Sequence, residues 1–120
     1  MDRTYDYTVL VVEDDPDIQG YLQAELKQNF HVLVADNGVK ALEVLMSEEV
    51  SVVVSDVMMP EMNGFDLCRK IKSDIVLSHL PVMLLTALSD DKQQMYGAAS
   101  GADAYIQKPF NIEVVKLRII

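Results

Sequence analysis

Glu13, Asp14 and Asp56 are the residues of this 120-residue chain whose types and spacing most directly suggest chemistry. Val9-Leu10-Val11-Val12 runs straight into Glu13-Asp14-Asp15, and Val52-Val53-Val54-Ser55 runs into Asp56. Short β-branched runs of this kind read as strands of a parallel sheet. Laid side by side, the two gather their carboxylates at one edge, where like charges a few ångströms apart repel. A hard divalent cation held by oxygens offsets that repulsion, and an anionic site built around such a cation suits phosphoryl chemistry. Thr86 closes a third apolar run, and Lys108 follows a fourth, directly before Pro109. A hydroxyl and an ammonium are therefore available at the same edge.

The elements that must position these groups form five cycles of a β-branched run followed by a helical stretch. The expected strands are Val9 to Glu13, His31 to Ala35, Val52 to Ser55, Val82 to Thr86 and Ala104 to Gln107. Asp15 is suited to cap the first helix, with Pro16 in its first position and Ile18, Tyr21, Leu22 and Leu26 facing inward. A second helix follows Asn37-Gly38, with Ala41, Leu42, Leu45 and Met46 inward, and a third follows Asn63-Gly64, with Phe65, Cys68 and Ile71 inward. A fourth, from about Asp90 to Ser100, is weak because Lys92-Gln93-Gln94 is polar and Gly97 lowers its propensity. The fifth starts at Asn111 and carries Ile112, Val115 and Ile119 on one side. Five such units with right-handed crossovers imply an α/β fold with a doubly wound, five-stranded parallel sheet. Its expected strand order is the flavodoxin-like 2-1-3-4-5, in a single three-layer α/β/α domain. In that order strands 1 and 3 are neighbours, and ligands bind at their carboxyl ends.

Composition narrows the function classes. A net charge of −9 argues against direct nucleic acid binding or membrane contact by this domain. The longest apolar runs are strand-length, and the single Cys68 fits a reducing compartment, so a cytoplasmic location is expected. Neither G-x-G-x-x-G nor G-x-x-x-x-G-K-[ST] occurs, which removes the common nucleotide-binding modules. The end on Leu117-Arg118-Ile119-Ile120 reads as a last helix truncated at 120 and a domain cut from a longer protein.

An acid pair, a lone strand-end Asp, a strand-end hydroxyl and a Lys-Pro, in that order over nearly the whole chain, resemble the receiver domain of two-component response regulators. The resemblance implies that residues 1–120 form a phosphoacceptor domain in which Asp56 takes a phosphoryl group from a partner's phosphohistidine. It implies that Mg²⁺, with Mn²⁺ as a substitute, is held by Asp14, Asp56 and the main-chain carbonyl of Met58, with Glu13 acting through water. Lys108 would pair with Asp56 and then with the phosphoryl oxygens, and the bond to Pro109 would be cis. Thr86 and Tyr105 would act as switch residues that change the face made by helix 4, strand 5 and helix 5. Met58 and Leu88 are apolar where many receivers are polar, and so are expected to shield the acyl phosphate from water.

The implied partners are a histidine kinase or phosphotransfer domain and, for a dimeric receiver, a second copy. Such a domain catalyses its own phosphorylation rather than turning over substrates. Ser78-His79-Leu80-Pro81-Val82, with the long link before it, resembles receivers embedded in hybrid sensor kinases. Two competing readings remain at this stage. A degenerate receiver would serve only as a docking module. An aspartate-nucleophile phosphatase would want an Asp two residues after the nucleophile, where this chain has Met58.

Overall fold

The computed structural model describes residues 6–86 and 101–119. Five parallel strands, β1 (Thr8–Val12), β2 (His31–Ala35), β3 (Val52–Asp56), β4 (Val82–Thr86) and β5 (Ala104–Gln107), lie in the order β2-β1-β3-β4-β5. The expected flavodoxin-like order is therefore the one observed. Strand alternation splits the core in two. Leu10, Val12, Val53, Val82 and Leu84 point to one face, where α2 (Gly38–Ser47) and α3 (Gly64–Ser73) cover them with Ala41, Leu45, Phe65, Cys68 and Ile71. Val9, Val11, Val52, Val54, Met83 and Leu85 point to the other. There α1 (Pro16–Leu26) contributes Leu22 and Leu26, and the C-terminal helix (Ile112–Ile119) contributes Val115. Each fully buried aliphatic side chain contributes about 1.5–3 kcal/mol, so both faces of the sheet hold it together.

The helix starts follow from capping chemistry. Asp15 Oδ1 accepts the N–H groups of Asp17 (2.9 Å) and Ile18 (3.3 Å), with Pro16 in the first turn where an N–H is not missed. Asn37 accepts from Lys40 N and Asn63 from Asp66 N, each at 2.9 Å, and Asn111 accepts from Glu113 N at 2.8 Å. Asp15 thus works as a helix cap rather than standing with the acidic cluster.

Three strand boundaries differ from expectation by one residue: β1 begins at Thr8 and ends at Val12, and β3 runs on to Asp56. Glu13 lies just past β1, although its N–H still donates to Ala35 O at 3.0 Å and prolongs the ladder by one bond. Asp56 lies inside β3, paired in register with Leu85 of β4. Two residues expected to face inward do not. Tyr21 is 49 % exposed and Met46 is 83 % exposed. On α1 the covered stripe is Ile18, Leu22 and Leu26, an i, i+4 row that leaves Tyr21 on its flank. Met46 sits in the last turn of α2, beyond the reach of the core that takes up Leu45. The expected fourth helix at Asp90 to Ser100 lies outside the described residues. Among the described residues no helix is long and apolar enough to cross a membrane.

Candidate functional site

The site forms where β1 and β3 end side by side. Their register closes with Val12 opposite Ser55, which sets the next residues, Glu13 and Asp56, across from each other. Asp14 joins them, and one carboxylate oxygen from each of Glu13, Asp14 and Asp56 lies within 4.8 Å of the others. Glu13 is 1 % exposed and Asp56 9 % exposed, whereas Asp14 faces solvent. Lys108, just after β5, reaches across the strand ends. Its Nζ donates to Asp56 Oδ1 at 2.9 Å and lies 3.7 Å from Glu13 Oε1. The Lys108–Pro109 peptide is cis, and Lys108 N donates to Thr86 O at 2.6 Å, which ties the lysine to the end of β4.

Charge defines what the cluster accepts. Three carboxyl side chains share the site with a single lysine, an excess of acid over base. Glu13 Oε1 is a buried oxygen with no hydrogen-bond partner among the described residues. An orphaned acceptor, an excess of carboxyl groups over the one lysine and an all-oxygen donor set fit Mg²⁺. Glu13, Asp14 and Asp56 are the side chains that would hold it, with the Met58 carbonyl as the main-chain donor expected from the sequence.

Burial is the main cause that raises Glu13 from 4.5 to about 7, and the Asp56 charge adds to it. The Asp15 N–H at 3.2 Å and the Lys108 ammonium act the other way. A carboxyl whose folded value is raised stabilises the metal-free protein below 4.5 and loses that contribution as pH rises through about 7. Glu13→Gln keeps the shape without the charge. In chelator, thermal unfolding is expected to show this variant above the natural protein at pH 8, with the gap closing toward pH 5. A gap of constant size across that range contradicts the assignment.

Thr86 is 1 % exposed at the end of β4, in register with Gln107. Tyr105 is half-buried on β5 opposite Leu84 and packs against the α2–α3 core. The Met58 side chain is 67 % exposed, which gives no support to its expected shielding role; Leu88 lies outside the described residues. A groove of 640 Å³ opens beside Lys108, between Asp17, Ile18 and Tyr21 of α1 and Pro109 and Phe110. Cys68 is fully buried, and both His31 and His79 are exposed away from the acids.

Sequence reasoning missed Gln19. Its Nε2 donates to Glu13 O at 2.9 Å and to Asp36 Oδ1 at 3.1 Å, bracing the acidic turn from α1. Nothing in the local sequence marks a first-turn helix glutamine for that role. Gly64, expected at the turn into the third helix, also lies hard against the end of β3. A Cβ there would collide with the Asp56 carbonyl oxygen and lie 3.0 Å from Val57 Cα.

The response regulator receiver domain family matches residues 9–120. Histidine kinase P4 of Formosa agariphila is 46 % identical over 112 residues, which make up 93 % of this chain and 8 % of that protein. The receiver domain of a signal transduction histidine kinase from Syntrophus aciditrophicus has the same fold. It superposes with a TM-score of 0.90 at 34 % identity, covering 94 % of this chain and 86 % of that one. TrrA of Thermotoga maritima, a response regulator solved in complex with Mg²⁺-BeF, gives a TM-score of 0.82 at 30 % identity, covering 94 % and 96 %. The chain spans half or less of the length of such curated relatives, from 8 % to 50 %. A match running from the first strand to the last helix, on a sheet that carries its acids at the carboxyl edge, places this chain in the response regulator receiver domain family of two-component systems.

Proposed function

We propose that Asp56 accepts a phosphoryl group from the phosphohistidine of a histidine kinase or phosphotransfer domain, as one step of a phosphorelay. The observation that carries this reading is the Lys108 ammonium 2.9 Å from Asp56 Oδ1 within a cluster of three carboxylates. An Asp56 carboxylate oxygen attacks phosphorus, the P–N bond breaks, and the imidazole nitrogen keeps the electron pair. Charge then spreads over the equatorial phosphoryl oxygens. Lys108 leaves the carboxylate to pair with them, and Thr86 supplies a hydroxyl donor from the adjoining strand. Asp14, Asp56 and the Met58 carbonyl, with Glu13 through a water, would hold Mg²⁺, or Mn²⁺ in its place, and the cation would supply charge neutralisation.

Phosphorylation draws the Thr86 hydroxyl inward, and Tyr105 follows into the space it leaves. The shift in population arises from contacts that differ between the two states. A second copy of the domain is a candidate reader of the changed face. Kinship with Histidine kinase P4 supports a hybrid sensor kinase as the parent, with this domain in the cytoplasm.

Incubation of the purified chain with acetyl phosphate tests the reading by intact-mass measurement. One phosphoryl group per chain is expected, formed only with Mg²⁺ and lost in alkali. No incorporation would leave a docking module, and continuous hydrolysis of phosphoesters would leave a phosphatase.

A further inference from the structure

We propose that Gly38 and Met62 form a positioning pair that seats the loop joining β3 to α3, and through it the Met58 carbonyl at the metal site. The proposal rests on the reading of the Asp56 site as Mg²⁺-dependent. The two residues come from different elements. Gly38 opens α2, behind its cap Asn37, and Met62 lies just before α3. A Cβ built on Gly38 would fall 2.8 Å from Met62 Cγ, 2.9 Å from Met62 Cβ and 2.9 Å from Met62 Sδ. Met62 Cβ is fixed to its own backbone, so rotating the thioether cannot clear the contact. The loop itself must move. Gly38 does not have a positive φ, so space rather than conformation excludes a side chain there.

The loop is built to respond. It leaves β3 with Val57 N donating to Leu85 O at 3.2 Å and returns with Gly64 N donating to Val57 O at 2.9 Å. Between these ties Glu61 holds a left-handed φ of 69°, a conformation that non-glycine residues seldom adopt. Met62 N donates to Pro60 O at 2.7 Å, and the Met62 side chain packs against the core shared by α2 and α3. Pressure on Met62 therefore passes into the few residues that carry Met58.

Mg²⁺ titration of the purified chain, followed by backbone amide shifts, tests the pair, with unfolding temperature measured alongside. Gly38→Ala is expected to weaken Mg²⁺ binding by about tenfold, the scale on which groups supporting metal ligands act. Met62→Ala is expected to weaken it by about threefold, less than typical supporting groups, because it loosens the loop without pushing it aside. Gly38→Ala with Met62→Gly is expected to bind more tightly than Gly38→Ala alone, because removing the Met62 Cβ together with the thioether clears the space the added methyl needs. Equal affinity in Gly38→Ala overturns the pair, and so does a double variant no better than Gly38→Ala. Should Gly38→Ala not fold, unaltered affinity in Met62→Ala overturns it. Absence of Mg²⁺ binding by the natural protein instead removes the reading beneath it.

Discussion

Asp56→Asn is expected to abolish phosphoryl incorporation from acetyl phosphate, a loss of at least about a thousandfold, or ~4 kcal/mol of barrier. The amide matches the carboxylate in shape, so the fold and the position of Lys108 persist. What disappears is the anionic oxygen that attacks phosphorus and one of the three charges at the metal site. Two companion effects separate this from general damage. Mg²⁺ binding weakens, and Glu13 falls back from about 7 toward its ordinary value, because repulsion from Asp56 is one of the causes that raise it. Asp15→Asn serves as the control. Its side chain caps α1 through Asp17 N and Ile18 N, and asparagine caps as well as aspartate, so incorporation persists. Incorporation of normal extent in the Asp56 variant would move the acceptor to another residue.

Gly64→Ala is expected to lower stability by about 2–4 kcal/mol, at the upper end of overpacking effects. The new methyl would meet the Asp56 carbonyl oxygen and Val57 Cα, both backbone atoms, so no side-chain rotation relieves the clash. At roughly 4 °C per kcal/mol in a domain of this size, the unfolding temperature falls by ~10 °C. Residual folded protein takes up phosphoryl groups poorly, since the displaced backbone belongs to the nucleophile. Gly20→Ala is the opposite case. Gly20 lies inside α1 with nothing within 4 Å of an added Cβ, so helix propensity raises stability by up to about 1 kcal/mol. Thermal melts that showed the two variants moving together would refute the contact argument at Gly64.

The sheet order and the acidic edge are legible in the chain because their signals are local. Val9 to Val12 and Val52 to Ser55 are too short and too uniformly apolar to be anything but buried parallel strands, and each runs into its acid. Capping residues mark the helix starts for the same reason, at Asp15, Asn37, Asn63 and Asn111. The errors lie where width or distant contact decides. Apolar spacing shows which side of a helix is oily, but not how far its partner surface extends, and so Tyr21 and Met46 stay outside. Gln19 reaches Glu13 only because the turn after β1 folds back over α1. Asn-Gly at 37–38 and 63–64 announces turns, while the volume each glycine must leave empty is set by another part of the chain.

Lys108 and Asp56 are 52 residues apart in sequence, and the groups at the site hang from the ends of four strands, β1, β3, β4 and β5, or from the turns beyond them. No single βα unit holds enough of the apparatus to work. Parallel strands pair only across long crossovers, so the pocket is complete only when β5 is seated on β4. Competence to receive a signal therefore doubles as a check on folding. On the proposed reading, a chain whose β5 is not seated lacks the ammonium opposite Asp56 and is expected to take up no phosphoryl group.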